Sequence, residues 1–147
     1  MIDKSLKVSV AESCTGGFLS TFFTSKAGSS MFFNGSITTY SNDSKNQLLS
    51  IPKEDINVYG VVSDEVVQKM ANNVRKKFNT DYGLATTGYV DSSGLDFQST
   101  NMILYAWIAV ANKDRVISKC VFLNHNRLQN ISRVSYELLN LFRKEII

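Results

Sequence analysis

The sequence predicts a three-layer α/β/α domain, with helices on both faces of a mixed, mostly parallel sheet of about five strands. Extended, β-favouring segments alternate with segments whose apolar residues recur at helical spacing, the pattern of parallel strands joined by helices. Near the C-terminus, two apolar segments flank a short polar turn, which adds a hairpin. With no repeat, low-complexity tract or linker, residues 1–147 are predicted to form one domain.

In the first half of the chain, turn and capping residues delimit short elements. Residues 6–11 alternate apolar and polar side chains, as a strand does, and Gly28 is a good stop for the helix that follows. Ser41 is a good N-cap for a short helix that Pro52 terminates. The predicted elements are a strand over about 6–11, a helix over about 15–26, a strand over about 35–40, a helix through Leu49, and one helical turn over about 53–58 closed by Gly60.

The second half contains two clearly amphipathic helices. Ser63 caps a segment whose apolar residues form one stripe, and the last helix of the chain has a similar stripe. The Asn-Lys-Asp sequence at 112–114 predicts the hairpin turn. The predicted elements are a helix over 64–78, a strand over about 82–86, a polar loop over 89–101, strands over about 102–110 and 116–122, and a helix from about 127.

Composition narrows the class of protein. The apolar fraction of 44% with a single proline is typical of a compact domain, and the longest apolar run, 102–111, is too short to span a membrane. Cys14 and Cys120 are far apart, so we expect reduced thiols and a cytoplasmic protein without a signal peptide. The net charge of +3 is mild, and the basic cluster at 75–77 closes a helix. A nucleic acid or membrane partner is therefore not expected.

Cofactor chemistry is not predicted either. One histidine, two separated cysteines and no paired acidic residues provide no metal-ligand set, and the patterns GxxxxGK[ST] and GxGxxG are absent. We expect a small-molecule substrate and no cofactor, and self-association into a homo-oligomer stays open.

The most informative segment is Ala-Glu-Ser-Cys-Thr-Gly-Gly at 11–17. It places Ser13 in a turn between a strand and a helix, beside two glycines that leave backbone amides open. This arrangement suits an acyl-transfer nucleophile with an oxyanion hole or a phosphate cradle, although such residues also simply cap helices. If strands one and three are parallel, the turns at 12–17 and 86–88 face one crevice, because ligands bind beyond the carboxyl ends of such strands.

A serine nucleophile needs a base, and Lys45 is the best candidate. In the first turn of the helix capped by Ser41, a cation faces the positive end of the helix dipole, and burial would lower its pKa further. Tyr40 precedes this turn and is a candidate proton relay or oxyanion donor. The alternatives are that Lys45 is a solvated surface lysine, that the single histidine, His125, is the base, or that Cys14 is the nucleophile.

Together these segments resemble the C-terminal domain of the CinA family, the nicotinamide-nucleotide amidohydrolases, over nearly the whole chain. The matching segments are 11–17, 27–30 with the aromatic pair at 32–33, 39–42 with Lys45, 48–49 with Ile51, and 59–63 with 65–66. The resemblance implies a three-layer fold and hydrolysis of the carboxamide of nicotinamide mononucleotide. It also implies a stand-alone form of a domain that other members join to a pyrophosphatase-type domain.

By this resemblance Ser13 is the nucleophile, with Lys45 and Tyr40 as acid–base partners, and Arg127 binds the substrate phosphate. The full set of predicted substrate-binding residues is Glu12, Thr15, Gly16, Gly17, Asn42, Thr86, Thr87, Gly88 and Arg127.

The sequence departs from the family at a second ligand loop. The family pattern GIAGPxGG corresponds here to Gly-Tyr-Val-Asp-Ser-Ser-Gly at 88–94, and the pattern PVGTV corresponds to residues 100–104. Side chains in place of glycine restrict the approach of a ligand to the backbone. Tyr89 and Val90 are therefore expected to reshape the pocket beside Ser13. The alternative function is a non-catalytic ligand-binding or interaction module of the same fold.

Overall fold

The computed structural model describes residues 1–92 and 103–147. In these residues five strands form one sheet, and five helices pack against it. The strands are β1 (Val8–Glu12), β2 (Phe33–Thr38), β3 (Tyr82–Tyr89), β4 (Leu104–Ala111) and β5 (Val116–Leu123). The helices are α1 (Phe18–Thr24), α2 (Asn42–Leu49), α3 (Lys53–Tyr59), α4 (Asp64–Phe78) and α5 (Arg127–Ile146), with 3-10 turns at Ile2–Lys4 and Ser29–Met31.

The strand order is β2-β1-β3-β4-β5. β1 pairs in parallel with both β2 and β3, whereas β4 runs antiparallel to β3 and to β5. Of the five described strands, β4 thus runs opposite to the other four. This confirms the predicted mixed sheet of five strands, in which two pairings are parallel and two are antiparallel.

Each face of the sheet is covered by helices, as the three-layer prediction requires. On one face α1 and α5 pack over residues such as Val10, Leu84 and Ile108, and on the other α2, α3 and α4 pack over small residues such as Ala85. A Cβ at Gly83 would lie 2.0 Å from the backbone oxygen of Ala71 in α4, so a glycine is needed for this close contact. These two cores fix the helices that border the site.

Most predicted boundaries agree with the structure. Ser41 and Ser63 cap α2 and α4 by accepting hydrogen bonds from backbone amides of the first turn. α1 begins at Phe18, later than predicted, because the chain first turns through positive φ angles at Gly16 and Gly17. β3 continues past its predicted end because it pairs with β4 as far as Tyr89.

The carboxyl ends of β1, β2 and β3 meet at one edge of the sheet, and the hairpin turn at 112–115 lies at the opposite edge. Most of the predicted polar loop, and the segment 100–102 compared with PVGTV, lie outside the described residues. No helix within the described ranges combines the length and apolar character needed to cross a membrane.

Candidate active site

The turn after β1 presents Ser13 at the carboxyl edge of the sheet. The amide of Ser13 donates to the backbone oxygen of Thr86 on the neighbouring strand, at 3.1 Å, and lies 3.3 Å from its Oγ1. Gly16 and Gly17 follow with φ angles of 57° and 100°, which residues with a Cβ rarely adopt. The nucleophile candidate is therefore anchored to β3 and followed by a sharp turn into α1.

Glu12 holds this turn together from within the fold. Its side chain is fully buried and accepts hydrogen bonds from the amides of Gly17, Leu19 and Ser20 at 2.8–3.0 Å, from the hydroxyl of Thr15 at 2.7 Å, and from the hydroxyl of Ser20. A carboxylate at a helix N-terminus satisfies amides that lack partners in the helix and complements its dipole. The donors that a phosphate cradle would use are thus bound to the protein's own carboxylate.

Lys45 reaches Ser13 from α2. The capping box of Ser41 and Ser44 starts this helix directly after β2, so that Lys45 projects inward from its first turn. The Nζ of Lys45 lies 2.9 Å from the Oγ of Ser13 and 2.7 Å from the backbone oxygen of Thr39. The contact predicted between serine and lysine is confirmed, and Lys45 is not a solvated surface residue because its side chain is fully buried.

Burial sets the protonation states of the two ionisable groups beside Ser13, the Lys45 amine and the Cys14 thiol. The pKa of Lys45 is lowered from 10.5 to about 8, chiefly because burial disfavours the charged amine. The pKa of the Cys14 thiol is raised to about 12, again chiefly by burial. At pH 7 about a tenth of the lysine is therefore neutral, far more than for an exposed lysine, whereas the thiol stays protonated and is a poor nucleophile.

A pocket of about 580 Å³ opens above this pair. Its wall combines polar groups from the three strand ends with apolar residues from the segment before α4. The lining residues are Ser13, Tyr40, Asn42, Lys45, Val61, Val62, Thr87, Gly88, Tyr89, Val90, Asp91 and Arg127.

One wall of the pocket carries a hydrogen-bonded chain of three side chains. The guanidinium of Arg127, at the start of α5, donates from Nη1 to the Asp91 carboxylate at 2.6 Å and from Nη2 to the Tyr40 hydroxyl at 2.7 Å. The Tyr40 hydroxyl thus contacts Arg127, while the backbone oxygen of Tyr40 lies 3.5 Å from Nζ of Lys45.

The structure divides the predicted site residues into two groups. The pocket is lined by Ser13, Tyr40, Lys45, Asn42, Thr87, Gly88 and Arg127. Behind it, Glu12, Thr15, Gly16, Gly17 and Thr86 form or brace the turn of Ser13. His125 is exposed. Its backbone amide donates to the side-chain oxygen of Asn130, and its backbone oxygen accepts from the side-chain nitrogen of Asn130.

Sequence reasoning did not assign Val61, Val62 or Asp91 to the site. The valines belong to a segment that matched the family without a stated role, and Asp91 stands in the divergent loop. No group of three or more metal-ligating side chains occurs among the described residues.

The fold and this site define a class: an α/β domain with a buried serine–lysine pair at the carboxyl ends of parallel strands. The family model for the CinA C-terminal domain matches residues 1–146. The chain therefore belongs to the CinA C-terminal domain family. It is 39% identical over 139 residues to a CinA-like protein of Amoebophilus asiaticus and 37% identical over 147 residues to one of Flavobacterium psychrophilum.

These alignments cover 95% and 100% of this chain but 33% and 35% of the relatives, so the chain spans about a third of their length. Solved structures share the fold. The competence damage-inducible protein A (ComA) of Klebsiella pneumoniae superposes with a TM-score of 0.90 at 21% identity, covering 99% of this chain and 89% of that one. The competence/damage inducible protein CihA of Agrobacterium tumefaciens gives 0.85 at 26%, covering 97% and 87%.

Proposed function

We propose that this domain is a serine amidohydrolase that converts the carboxamide of nicotinamide mononucleotide, or of a related amide, to the acid and ammonia. The observation that carries the proposal is the 2.9 Å contact between Nζ of Lys45 and Oγ of Ser13 at the base of a pocket. A hydroxyl next to a partly neutral amine is a combination that produces an activated nucleophile.

In the proposed reaction, neutral Lys45 takes the proton of Ser13 as its oxygen forms a bond to the carboxamide carbon. The backbone amides of Cys14 and Thr15 are the candidate donors to the oxyanion, because no oxygen of the described residues accepts from them. The C–N bond then breaks, and the nitrogen leaves as ammonia after receiving a proton. Neutral Lys45 then takes a proton from water as the water oxygen bonds to the ester carbon. The bond from that carbon to Oγ of Ser13 breaks, the acid departs, and Oγ receives the proton from Lys45. The steps require no cofactor.

Tyr40 is the proposed second proton-transfer residue. Its oxygen accepts from Arg127, so its own proton is not used in that bond and remains available to a ligand in the pocket. The proton reaches the leaving amine from Tyr40 or from Lys45, which becomes charged in the first step. Asn42 and Thr87 also line the pocket and supply polar groups for the rest of the substrate.

The second candidate function is a binding module without turnover. The observation that favours it is that Tyr89 and Val90 line the pocket where the family pattern has smaller residues. Both functions predict that an amide binds in the pocket, but only the amidohydrolase releases ammonia from it.

The decisive experiment measures ammonia release from nicotinamide mononucleotide and from its phosphate-free nucleoside, nicotinamide riboside. The amidohydrolase proposal predicts weak but measurable release by the wild-type protein, and a loss of about 10³-fold or more in Ser13→Ala. Ser25→Ala, at the exposed end of α1, is the matched control and should retain activity. Because Ser13→Ala keeps the thiol of Cys14, retained activity in this variant would identify that thiol as the nucleophile and refute the serine mechanism. Absence of ammonia from both compounds would support the binding module.

A further inference from the structure

The charges of the pocket are arranged in two separate places. Among the described lining residues, the charged ones are Lys45, Asp91 and Arg127. Lys45 is fully buried against Ser13, whereas Asp91 and Arg127 are paired on the wall, with side chains 28% and 44% exposed. The part of the substrate that extends away from Ser13 therefore meets the Arg127 guanidinium, which is already paired with the Asp91 carboxylate.

This pairing bears on whether the pocket accepts a phosphate. A phosphate monoester carries nearly two negative charges at pH 7 and is bound best by an arginine whose fork is available for bidentate contact. Here Nη1 and Nη2 of Arg127 donate to Asp91 and to Tyr40 at 2.6 and 2.7 Å. A phosphate at this position would have to displace the carboxylate or lie beside it, and like charges that close repel each other.

A hydroxyl group is not subject to this repulsion. It can donate to the Asp91 carboxylate and accept from Arg127 without breaking the ion pair. The ion pair of Asp91 and Arg127 thus offers an alcohol two hydrogen-bonding partners, whereas it offers a dianion a cation whose charge is already balanced.

We propose that Asp91 determines specificity by making this pocket select an amide whose distal end carries hydroxyl groups, such as a nucleoside, over the same compound bearing a phosphate. The proposal rests on the amidohydrolase function and narrows its substrate class. Asp91 acts on the distal end of the ligand, by accepting from its hydroxyl and by the negative charge it holds beside Arg127, so its effect is on the ratio of two substrates rather than on catalysis itself.

The test compares nicotinamide riboside with nicotinamide mononucleotide, which share the ring, its charge and the ribose and differ in the phosphate. We would measure kcat/KM for both with wild-type protein, Asp91→Asn and Asp114→Asn. The last variant removes one negative charge at the opposite edge of the sheet and is the matched control. The expected result is a preference of about tenfold or more for the riboside in wild type, reduced about tenfold in Asp91→Asn and unchanged in Asp114→Asn.

A merely structural role of Asp91 would change both substrates equally and leave the ratio constant, which would overturn the proposal. A preference of the wild-type protein for nicotinamide mononucleotide would by itself overturn the proposal, whatever the variants show. Calorimetric binding of both compounds to Ser13→Ala separates this proposal from the amidohydrolase function. If Ser13→Ala binds the riboside preferentially but the wild-type protein releases no ammonia, the amidohydrolase function is refuted and the selectivity proposal stands. Binding of neither compound would overturn the selectivity.

Discussion

The amine of Lys45 and the hydroxyl of Ser13 are 2.9 Å apart although the two residues lie 32 positions apart in the chain. The strand β1 ends just before the serine, and the parallel strand β2 ends just before the helix that carries the lysine. Parallel pairing brings both ends to the same edge of the sheet, and burial there lowers the pKa of the lysine to about 8. The pair thus depends on topology as much as on residue type.

The pH dependence of amide hydrolysis should report the lysine. With a pKa of about 8 for Lys45, the neutral amine, which is the proposed base, becomes more abundant as the pH rises toward 8. We expect kcat/KM to increase about tenfold per pH unit below this value and to level off above it. Initial rates between pH 6 and 9.5 measure the profile. A flat profile over this range would contradict the assignment of Lys45 as base.

The same lysine should make stability depend on pH. Between about 8 and 10.5, the unfolded chain keeps a proton on Lys45 that the folded protein has lost, so the free energy of unfolding rises with pH. Relative to Lys45→Met, wild-type stability should increase by about 3 kcal/mol across this window. Urea unfolding at pH 7 to 10.5 measures the difference. The exposed variant Lys26→Met is the control and should follow wild type; parallel curves for Lys45→Met and wild type would refute the expectation.

Replacement of Tyr40 by phenylalanine separates proton transfer from binding. We expect Tyr40→Phe to lower kcat about tenfold or more with little change in KM, because the hydroxyl is the proposed proton donor. Steady-state kinetics on the better of the two amides measure both constants. Tyr136→Phe removes a hydroxyl from an exposed tyrosine of α5 and should change neither. A raised KM with normal kcat would instead make the Tyr40 hydroxyl a binding group.

Removal of the buried carboxylate behind the site should destabilise the whole domain. Glu12→Ala leaves amides and hydroxyls at the start of α1 without their acceptor, and we expect a loss of about 3 kcal/mol or more in the free energy of unfolding. Glu65→Ala removes an exposed glutamate from the first turn of α4 and should cost under about 1 kcal/mol. Chemical denaturation of the two variants compares these costs. Equal losses in the two variants would show that the burial of Glu12 adds nothing to the free energy of unfolding.

The local sequence by itself determined the elements and the chemistry of several residues. Capping serines such as Ser41 and Ser63 place helix starts correctly because their side chains bond to amides only a few residues away. The Ser13 turn was recognisable because it needs glycines at positive φ, a property of the backbone that residue type reveals.

Which of these groups meet depends on the tertiary fold. Glu12 has the same appearance in the sequence whether it faces a ligand or a helix N-terminus, and its burial beneath α1 makes it an internal brace. The ion pair of Asp91 with Arg127 and the bond of Arg127 to Tyr40 join residues 36 and 87 positions apart. Such contacts follow from the order and direction of strands, which depend on long-range packing and carry no local signature in the sequence.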